Sequence, residues 1–123
     1  MARTSIASET AITAAQNDRF RYALIEDTAR PDGLEGKVFV PPGVMANGDD
    51  FVRMALPLTA KYSTFQQESD PYGLHEMGVI TVFGIRVWWR IDLYDTDYRY
   101  GSDAPADPEQ TRRVLTVLLP SEY

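Results

Sequence analysis

The stretch that decides the fold is GVITVFGIRVWWRIDLY, residues 78–94. It is rich in Val, Ile, Trp and Tyr, which favour strands. Gly84 lies near its middle, so residues 78–83 and 85–94 are predicted to form two antiparallel strands joined by a tight turn. In the second strand the odd-numbered residues, Ile85 to Leu93, are all apolar. The even-numbered residues are Arg86, Trp88, Arg90, Asp92 and Tyr94. This alternation predicts a sheet with one face on a core and the other facing water or a partner.

Before this hairpin, residues 8–27 are predicted to form a helix. Good helix formers dominate the segment, and Ser8 can cap its start. The residues that recur near helical spacing predict the buried stripe: Ile12, Ala15, Arg19, Tyr22 and Ile25, widened by Phe20 and Leu24. The segment ARPDGLEG, residues 29–36, contains one Pro and two Gly and predicts the end of this helix.

The middle of the chain gives weaker signals. Residues 37–40, KVFV, predict a short strand that PPG at residues 41–43 ends. Asp49 or Asp50 can cap a helical turn through Met54 after the turn signal Asn47-Gly48. Pro57 is unfavourable inside a helix or a central strand, so residues 55–65 are predicted to form an edge strand.

The last third contains an acidic linker, residues 95–111, and then a strand. Asp107, followed by Pro108, predicts a capped helical turn within the linker. Residues 113–119, RVLTVLL, are apolar on both faces and predict a buried central strand. The whole pattern predicts an α+β fold in which an N-terminal helix packs on a mainly antiparallel sheet of four to five strands, in one domain over residues 1–123.

Composition excludes several classes of site. The chain has 123 residues and no cysteine, so it contains no disulfide, no thiolate nucleophile and no Cys-ligated metal. It has one histidine, and we expect no metal site and no cofactor. No apolar run approaches the roughly 18 residues of a membrane span, and the first residues lack the apolar core of a signal peptide, so a soluble cytoplasmic protein with no membrane partner is expected. The net charge of −6 disfavours direct binding to nucleic acid. It is compatible with docking on a basic protein surface that normally holds nucleic acid.

Three stretches in order carry a resemblance to a known family: DPYGLHEMG at residues 70–78, VWWRIDLYD at 87–95 and GSDAPADPEQTRRVLTVLLPSEY at 101–123. They resemble the DPYGEHDFG-like, KIDYYD-like and RVLTIML-like motifs of a family of small, uncharacterised bacterial proteins. QNDRFR at 16–21 and PPGV at 41–44 match more loosely. The family is a domain of unknown function, so the resemblance implies no activity. The chain departs from it at Leu74, where the family usually has an acid, and at Glu76 and Met77, where it has Asp-Phe. A catalytic role of that acid would be missing here.

The motif at residues 70–78 holds the single histidine and has two interpretations. In a catalytic one, His75 is a general base oriented by Glu76 or Asp70, and Asp92 or Asp95 adds a second carboxylate. Together they could hold Mg²⁺ or Mn²⁺ for phosphodiester hydrolysis. In a structural one, residues 70–73 form a β-turn and His75 caps the next strand. We favour the turn, because the chain offers no second histidine and no serine nucleophile motif.

Two surfaces are candidates for partner binding. Trp88 between two arginines makes a rigid, adhesive strand face that could bind a protein or stack nucleic-acid bases, unless a helix or a second copy covers it. Acids interleaved with tyrosines follow this strand; they could imitate a phosphate backbone or form a solvated loop. The residues predicted to bind a partner are Arg86, Trp88, Arg90, Tyr94, Asp95, Asp97, Tyr98 and Asp103.

These observations lead to two functional hypotheses. The first is a non-enzymatic soluble interaction protein with a protein partner, for example an acidic inhibitor of a bacterial nucleic-acid-handling defence complex of the anti-CRISPR or anti-restriction type. A homodimer is compatible with it. The alternative is a small metal-dependent hydrolase or nuclease built on His75, Glu76, Asp70 and Asp92.

Overall fold

The four strands form one sheet with helices on one of its faces. The computed structural model describes residues 6–26 and 33–123. Its elements are α1 (Ile6–Glu26), β1 (Glu35–Phe39), α2 (Pro42–Met45), α3 (Asp49–Ala60), β2 (Met77–Val82), β3 (Ile85–Tyr94), β4 (Arg112–Leu118) and a 3-10 turn (Pro120–Glu122). The strand order is β1-β4-β3-β2. This confirms the predicted α+β class with an N-terminal helix on a four-stranded sheet.

The register places one apolar face of three strands against the helices. β2 and β4 both pair antiparallel with β3, and β1 pairs parallel with β4. Trp89 lies between Gly78 and Val117 in neighbouring strands and is fully buried. The same face carries Val87 and Ile91, which are also buried, as the alternation predicted. The prediction that β4 is a central strand is confirmed as well.

The β2–β3 hairpin closes through a two-residue loop, Phe83-Gly84. Both residues have positive φ, 48° and 79°, as a type I′ turn requires. Only Gly84 adopts this conformation without strain. A second glycine is required at Gly78, because a Cβ there would lie 2.6 Å from Nε1 of Trp89. The indole thus passes directly beneath the backbone of β2.

The face of α1 that packs on the sheet differs from the predicted stripe; among the described side chains only Phe20 of that stripe is buried, and the prediction is wrong at the others. Ile12 and Tyr22 are 43% and 50% exposed, and Ala15 and Arg19 are exposed too. Among the side chains of α1 that the structure describes, residues 9–23, the buried ones are Thr13, Ala14, Gln16, Asn17, Phe20, Arg21 and Ala23. Most of them are polar, so apolar periodicity could not identify this face. The Ser8, Leu24 and Ile25 side chains, the helix end at Asp27 and the first part of the segment at 29–36 lie outside what the structure describes.

The prediction of an edge strand over residues 55–65 is also wrong, since α3 continues to Ala60. Its buried residues Phe51, Ala55 and Thr59 recur every four positions, which is helical spacing. Pro57 lacks the N–H that would bond the carbonyl of Arg53. Arg53 is on the exposed side of the helix, where water can bond that carbonyl, so the proline is tolerated.

A guanidinium joins α1, α3 and the sheet. Arg21 is 1% exposed, and its Nη1 donates to the carbonyls of Thr59 at 2.7 Å and Tyr62 at 3.1 Å. These carbonyls lie at or just beyond the end of α3, where carbonyls lack the usual helical donor; that of Thr59 also accepts the N–H of Tyr62 at 3.3 Å. The guanidinium also stacks on the ring of Trp89, 4.4 Å from its centroid. Arg21 therefore satisfies the end of one helix and fills the core at the same time.

A second buried arginine ties α1 to β4. Nε of Arg113 donates to Oδ1 of Asn17 at 2.8 Å, and Nη2 donates to Oε1 of Gln16 at 3.0 Å. Both partners are neutral amides. Burial, and the nearby charge of Arg19, lower the pKa of Arg113 to about 10. Hydrogen bonds from Arg113 to the side chains of Gln16 and Asn17 thus replace the water that would otherwise solvate this buried charge.

The hydrogen bonds from Arg21 to the carbonyls of Thr59 and Tyr62, called the Arg21 clamp here, lead to a first prediction. Arg21→Met should lower the free energy of unfolding by about 3 kcal/mol, because the carbonyls of Thr59 and Tyr62 lose a charged donor and the Asp18 carboxylate loses its partner. The matched control is Arg53→Met on the exposed side of α3, which should change it by less than about 0.5 kcal/mol. Urea unfolding measures both. If Arg21→Met lowers the free energy of unfolding as little as Arg53→Met does, the contacts of Arg21 contribute no stability.

Candidate protein-interaction surface

The sheet face opposite α1 and α3 is called the open face here. Alternation along the strands assigns to it Glu35, Lys37, Phe39, Met77, Val79, Thr81, Arg86, Trp88, Arg90, Asp92, Tyr94, Arg112, Val114, Thr116 and Leu118. All five even-numbered residues predicted from β3 lie on it. Its exposure is uneven: Thr116 and Leu118 in β4 are 7% and 2% exposed, whereas Val79 in β2 is 44% exposed.

The centre of the open face is an aromatic and cationic cluster. Trp88 is half-buried, and its ring meets that of Tyr123 edge-on, 5.4 Å between centroids. The guanidinium of Arg90 lies 5.3 Å from the same tyrosine ring. On its other side, Nε of Arg90 pairs with the carboxylate of Asp92 at 3.2 Å. The cluster is therefore ordered in the free protein, so a partner has less side-chain freedom to remove.

Tyr123 is placed by a carboxylate on the preceding residue. Oε1 of Glu122 accepts the N–H of Leu119 at 2.9 Å, and Oε2 accepts the N–H of Gly43 at 2.8 Å. The 3-10 turn is thereby fixed to the start of α2. Tyr123 remains 70% exposed although it contacts Trp88. Its outer surface is thus available for contact.

The flanks of the open face combine apolar and charged groups. Phe39 in β1 is 55% exposed and Val79 in β2 is 44% exposed. Arg112 pairs with Glu35 at 3.2 Å, across the β1–β4 boundary. Large exposed apolar side chains beside ordered guanidinium groups are typical of protein interfaces.

The acidic loop after β3 is built around the Asp95 carboxylate. Its Oδ1 accepts the N–H groups of Asp97 at 3.2 Å and Arg99 at 3.0 Å. Backbone hydrogen bonds, above all that from Arg99, hold the pKa of Asp95 below its usual range. Asp95 therefore shapes the loop, whereas Asp97 and Asp103 are exposed. This division of roles could not be read from their spacing.

The loop and the open face form one continuous surface. Nζ of Lys37 lies 4.0 Å from the ring centroid of Tyr98, a residue with a positive φ of 59°. This contact brings the loop over the β1 side of the sheet. The residues predicted from sequence to bind a partner thus come from two adjoining regions.

The motif at residues 70–78 forms the expected β-turn. The N–H of Gly73 donates to the carbonyl of Asp70 at 3.1 Å, and Oδ1 of Asp70 accepts the N–H of Leu74 at 3.0 Å. The Asp70 carboxylate also accepts the N–H of His75 at 3.3 Å. This carboxylate is only 6% exposed and organises the turn from within.

The His75 ring fastens this turn to α1. Nδ1 lies 2.9 and 3.0 Å from the two carboxylate oxygens of Asp18, and the ring stacks on Phe65 with centroids 3.9 Å apart. Nε2 lies 3.9 Å from Oδ2 of Asp70. Asp18 in turn accepts a hydrogen bond from Arg21 at 2.5 Å. His75 is thus part of a structural latch connected to the Arg21 clamp.

Asp92 and Glu76, the other two predicted catalytic residues, are not part of the contacts between His75 and α1. Asp92 belongs to the open face and pairs with Arg90. Glu76 is exposed, and its pKa is raised by desolvation and by the charges of Asp70 and Asp92. Residues 6–26 and 33–123 contain no group of three or more His, Asp or Glu side chains that could hold a metal ion.

Sequence reasoning missed four residues that complete these clusters: Asp18, Arg21, Phe65 and Tyr123. Asp18 and Arg21 stand three apart on α1, a spacing that brings side chains together, and this was the available signal. The contacts of Phe65 and Tyr123 depend on tertiary packing and leave no local pattern.

The fold and its surfaces describe an α+β protein with helices on one side of a mixed sheet. The chain belongs to a family of proteins of unknown function (DUF3768), whose model matches residues 40–122. This confirms that the family is an uncharacterised one. The matched residues include β2, β3, β4 and the motif at 70–78, whereas α1 and β1 precede them. No curated protein and no solved structure matches the chain. In the described residues, no helix is both long and apolar enough to cross a bilayer.

Glu76 generates a pH-dependent prediction. Its pKa is higher in the folded than in the unfolded protein, so the folded state binds more protons between the two values and stability falls as the pH rises through the folded pKa. Glu76→Gln should therefore raise the melting temperature at pH 7. The corresponding gain in the free energy of unfolding should be less than about 1 kcal/mol, because the side chain is exposed. Near pH 4, about the unfolded pKa, the gain should shrink toward zero. Glu68→Gln changes the net charge equally and is the control; a gain that did not depend on pH would contradict the assignment.

Asp95 generates a second prediction for this surface. Asp95→Ala should speed hydrogen exchange at the amides of Asp97 and Arg99 by about tenfold, because both lose their acceptor. Asp97→Ala removes a neighbouring carboxylate but no amide acceptor at Arg99, so the Arg99 amide should keep its protection. Exchange followed by NMR distinguishes the two. Unchanged protection in Asp95→Ala would show that the backbone alone orders the loop.

Proposed function

We propose that this protein is a soluble, cytoplasmic interaction protein without catalytic activity, which binds a protein partner through the open face. The observation that carries the proposal is the ordered cluster of Trp88, Arg90 and Tyr123 at the centre of that face. Trp, Tyr and Arg are the residue types that most often dominate binding energy at protein interfaces.

The exposed apolar neighbours support a protein rather than a nucleic acid as the partner. Phe39 and Val79 flank the cluster and are about half exposed. Four cations on the open face, Lys37, Arg86, Arg90 and Arg112, stand against two carboxylates, Glu35 and Asp92, in a chain of net charge −6. Two of these cations are already paired with those carboxylates. Little positive charge is therefore left to neutralise a phosphate backbone.

The acidic loop supports a finer form of the proposal. Asp97 and Asp103 are exposed, and the Lys37–Tyr98 contact joins their loop to the open face. Carboxylates at the rim of an aromatic centre would complement a basic surface that normally holds nucleic acid. In this form the protein is an acidic inhibitor of a bacterial defence complex, of the anti-CRISPR or anti-restriction type.

The contacts of His75 also favour a binding protein over a hydrolase. Its ring is stacked on Phe65, one nitrogen is bonded to Asp18, and the other faces Asp70. A general base needs a nitrogen directed at its substrate. Here both nitrogens face carboxylates that also organise the turn and the clamp.

The test compares capture by the wild type, Trp88→Ala and Tyr72→Ala from a lysate of the source organism, followed by calorimetry with the purified partner. Tyr72 is 76% exposed on the β-turn and serves as the matched aromatic control. Trp88→Ala should weaken binding at least tenfold, whereas Tyr72→Ala should change it less than twofold. Arg86→Glu, at an exposed open-face position, guards against a folding defect in Trp88→Ala.

Three results would contradict parts of the proposal. Undiminished binding by both open-face variants would place the interface elsewhere. Dimerisation of the wild type that Trp88→Ala abolishes would make a second copy the partner. Charge reversal at Asp97 and Asp103, which leaves Asp95 intact, should weaken binding to a basic partner, so that less nucleic acid is needed to displace the variant than the wild type. No effect would remove the finer form.

A further inference from the structure

A groove lies on the helix side of the molecule, between the first half of α1 and the loop at residues 103–108. Its volume is about 630 Å³, within the range of about 300–1,000 Å³ found for ligand sites. Ile12, Leu74 and Pro105 contribute apolar walls. None of its lining residues belongs to the open face.

The walls of the groove are held in place by buried polar contacts. Nε2 of Gln16 donates to the carbonyl of Ala106 at 3.0 Å, and Gln16 is 5% exposed. The hydroxyl of Thr111 donates to the carbonyl of Ala104 at 2.8 Å. On the other side, Nδ2 of Asn17 donates to the carbonyl of Leu74 at 2.9 Å. The groove is therefore preformed, which lowers the entropic cost of binding.

The charges around the groove have one sign. Glu9, Asp103 and Asp107 line it, and its lining residues include no Lys, Arg or His. Ile12 is 43% exposed, so an apolar side chain stands in solvent between these carboxylates. An occupant that complements both features needs an apolar group and positive charge.

We propose that this groove binds a short basic segment of a protein partner, with one apolar side chain against Ile12 and Leu74 and a Lys or Arg side chain among the three carboxylates. A peptide fits better than a small polyamine, because an apolar side chain separate from the cation can fill the walls. The groove is separate from the open face, and the two share no lining residue. Asp103 is common to the groove and to the acidic loop of the finer form of the proposed function, so only the open-face variants separate the two proposals.

The probe is a fluorescein-labelled peptide of alternating arginine and leucine, RLRLRL, followed by fluorescence anisotropy at low and high salt. RSRSRS and ELELEL test the need for apolar groups and for positive charge. RLRLRL should bind at least tenfold more tightly than either control peptide. Equal binding of RSRSRS would reduce the groove to nonspecific attraction and overturn the proposal. Displacement by spermidine at concentrations as low as those of unlabelled RLRLRL would also overturn it, in favour of a polyamine site.

Two triple variants with equal net charge locate the binding. Glu9→Gln, Asp103→Asn and Asp107→Asn together neutralise the groove, and an asparagine at 107 can still accept the N–H of Glu109. Asp50→Asn, Glu68→Gln and Asp97→Asn neutralise three exposed acids elsewhere. The first set should weaken RLRLRL at least tenfold and the second less than twofold; equal losses, or no binding by the wild type, would overturn the proposal.

Two single variants complete the design. Ile12→Ala should weaken the peptide about threefold to tenfold, because it removes an exposed apolar wall without touching the core. Trp88→Ala should leave peptide binding unchanged, so a failure of the groove and a failure of the open face are distinguishable. Loss of peptide binding in Trp88→Ala with Ile12→Ala unaffected would move the site to the open face.

Discussion

Two guanidinium groups buried between α1 and the sheet constrain the rest of the molecule. A buried charge costs several kcal/mol unless hydrogen bonds replace its water. Arg21 binds the carbonyls at the end of α3 and the Asp18 carboxylate, and Arg113 binds the neutral amides of Gln16 and Asn17. The packed face of α1 is consequently polar, and α3 must end where Arg21 can reach it.

These contacts also decide which surfaces remain for binding. Asp18 holds His75, and Asn17 holds the carbonyl of Leu74, so the motif at residues 70–78 is bound to α1. Both long helices are thereby committed to one side of the sheet. On the opposite side Trp88 and Arg90 stay partly and Tyr123 largely in contact with solvent, and the groove beside Leu74 opens where α1 meets the loop at 103–108.

The sequence predicted what depends on local alternation and not what depends on polar packing. The period of two in β3 and the apolar run of β4 follow directly from burial, and both were predicted within a residue of their observed bounds. Apart from Phe20, the packed face of α1 was not predicted, because Gln16, Asn17 and Arg21 carry no apolar signal. Pro57 masked the helical spacing of α3. The candidate site was half predicted: the β3 residues were named, but the contact of Tyr123 with Trp88 arises only when the chain folds back.

The parallel pairing of β1 with β4 has a consequence for synthesis. Glu35 pairs with Arg112, 77 positions later in the chain. β1 therefore cannot pair with its neighbouring strand until that part of the chain has been synthesised. β3 also pairs with β4, and Arg113 of β4 donates a hydrogen bond to the amide of Asn17 in α1. The nascent polypeptide can therefore close only the β2–β3 hairpin of this sheet before β4 emerges. A translation arrest before that point would leave a partly formed, adhesive intermediate of the kind that chaperones bind.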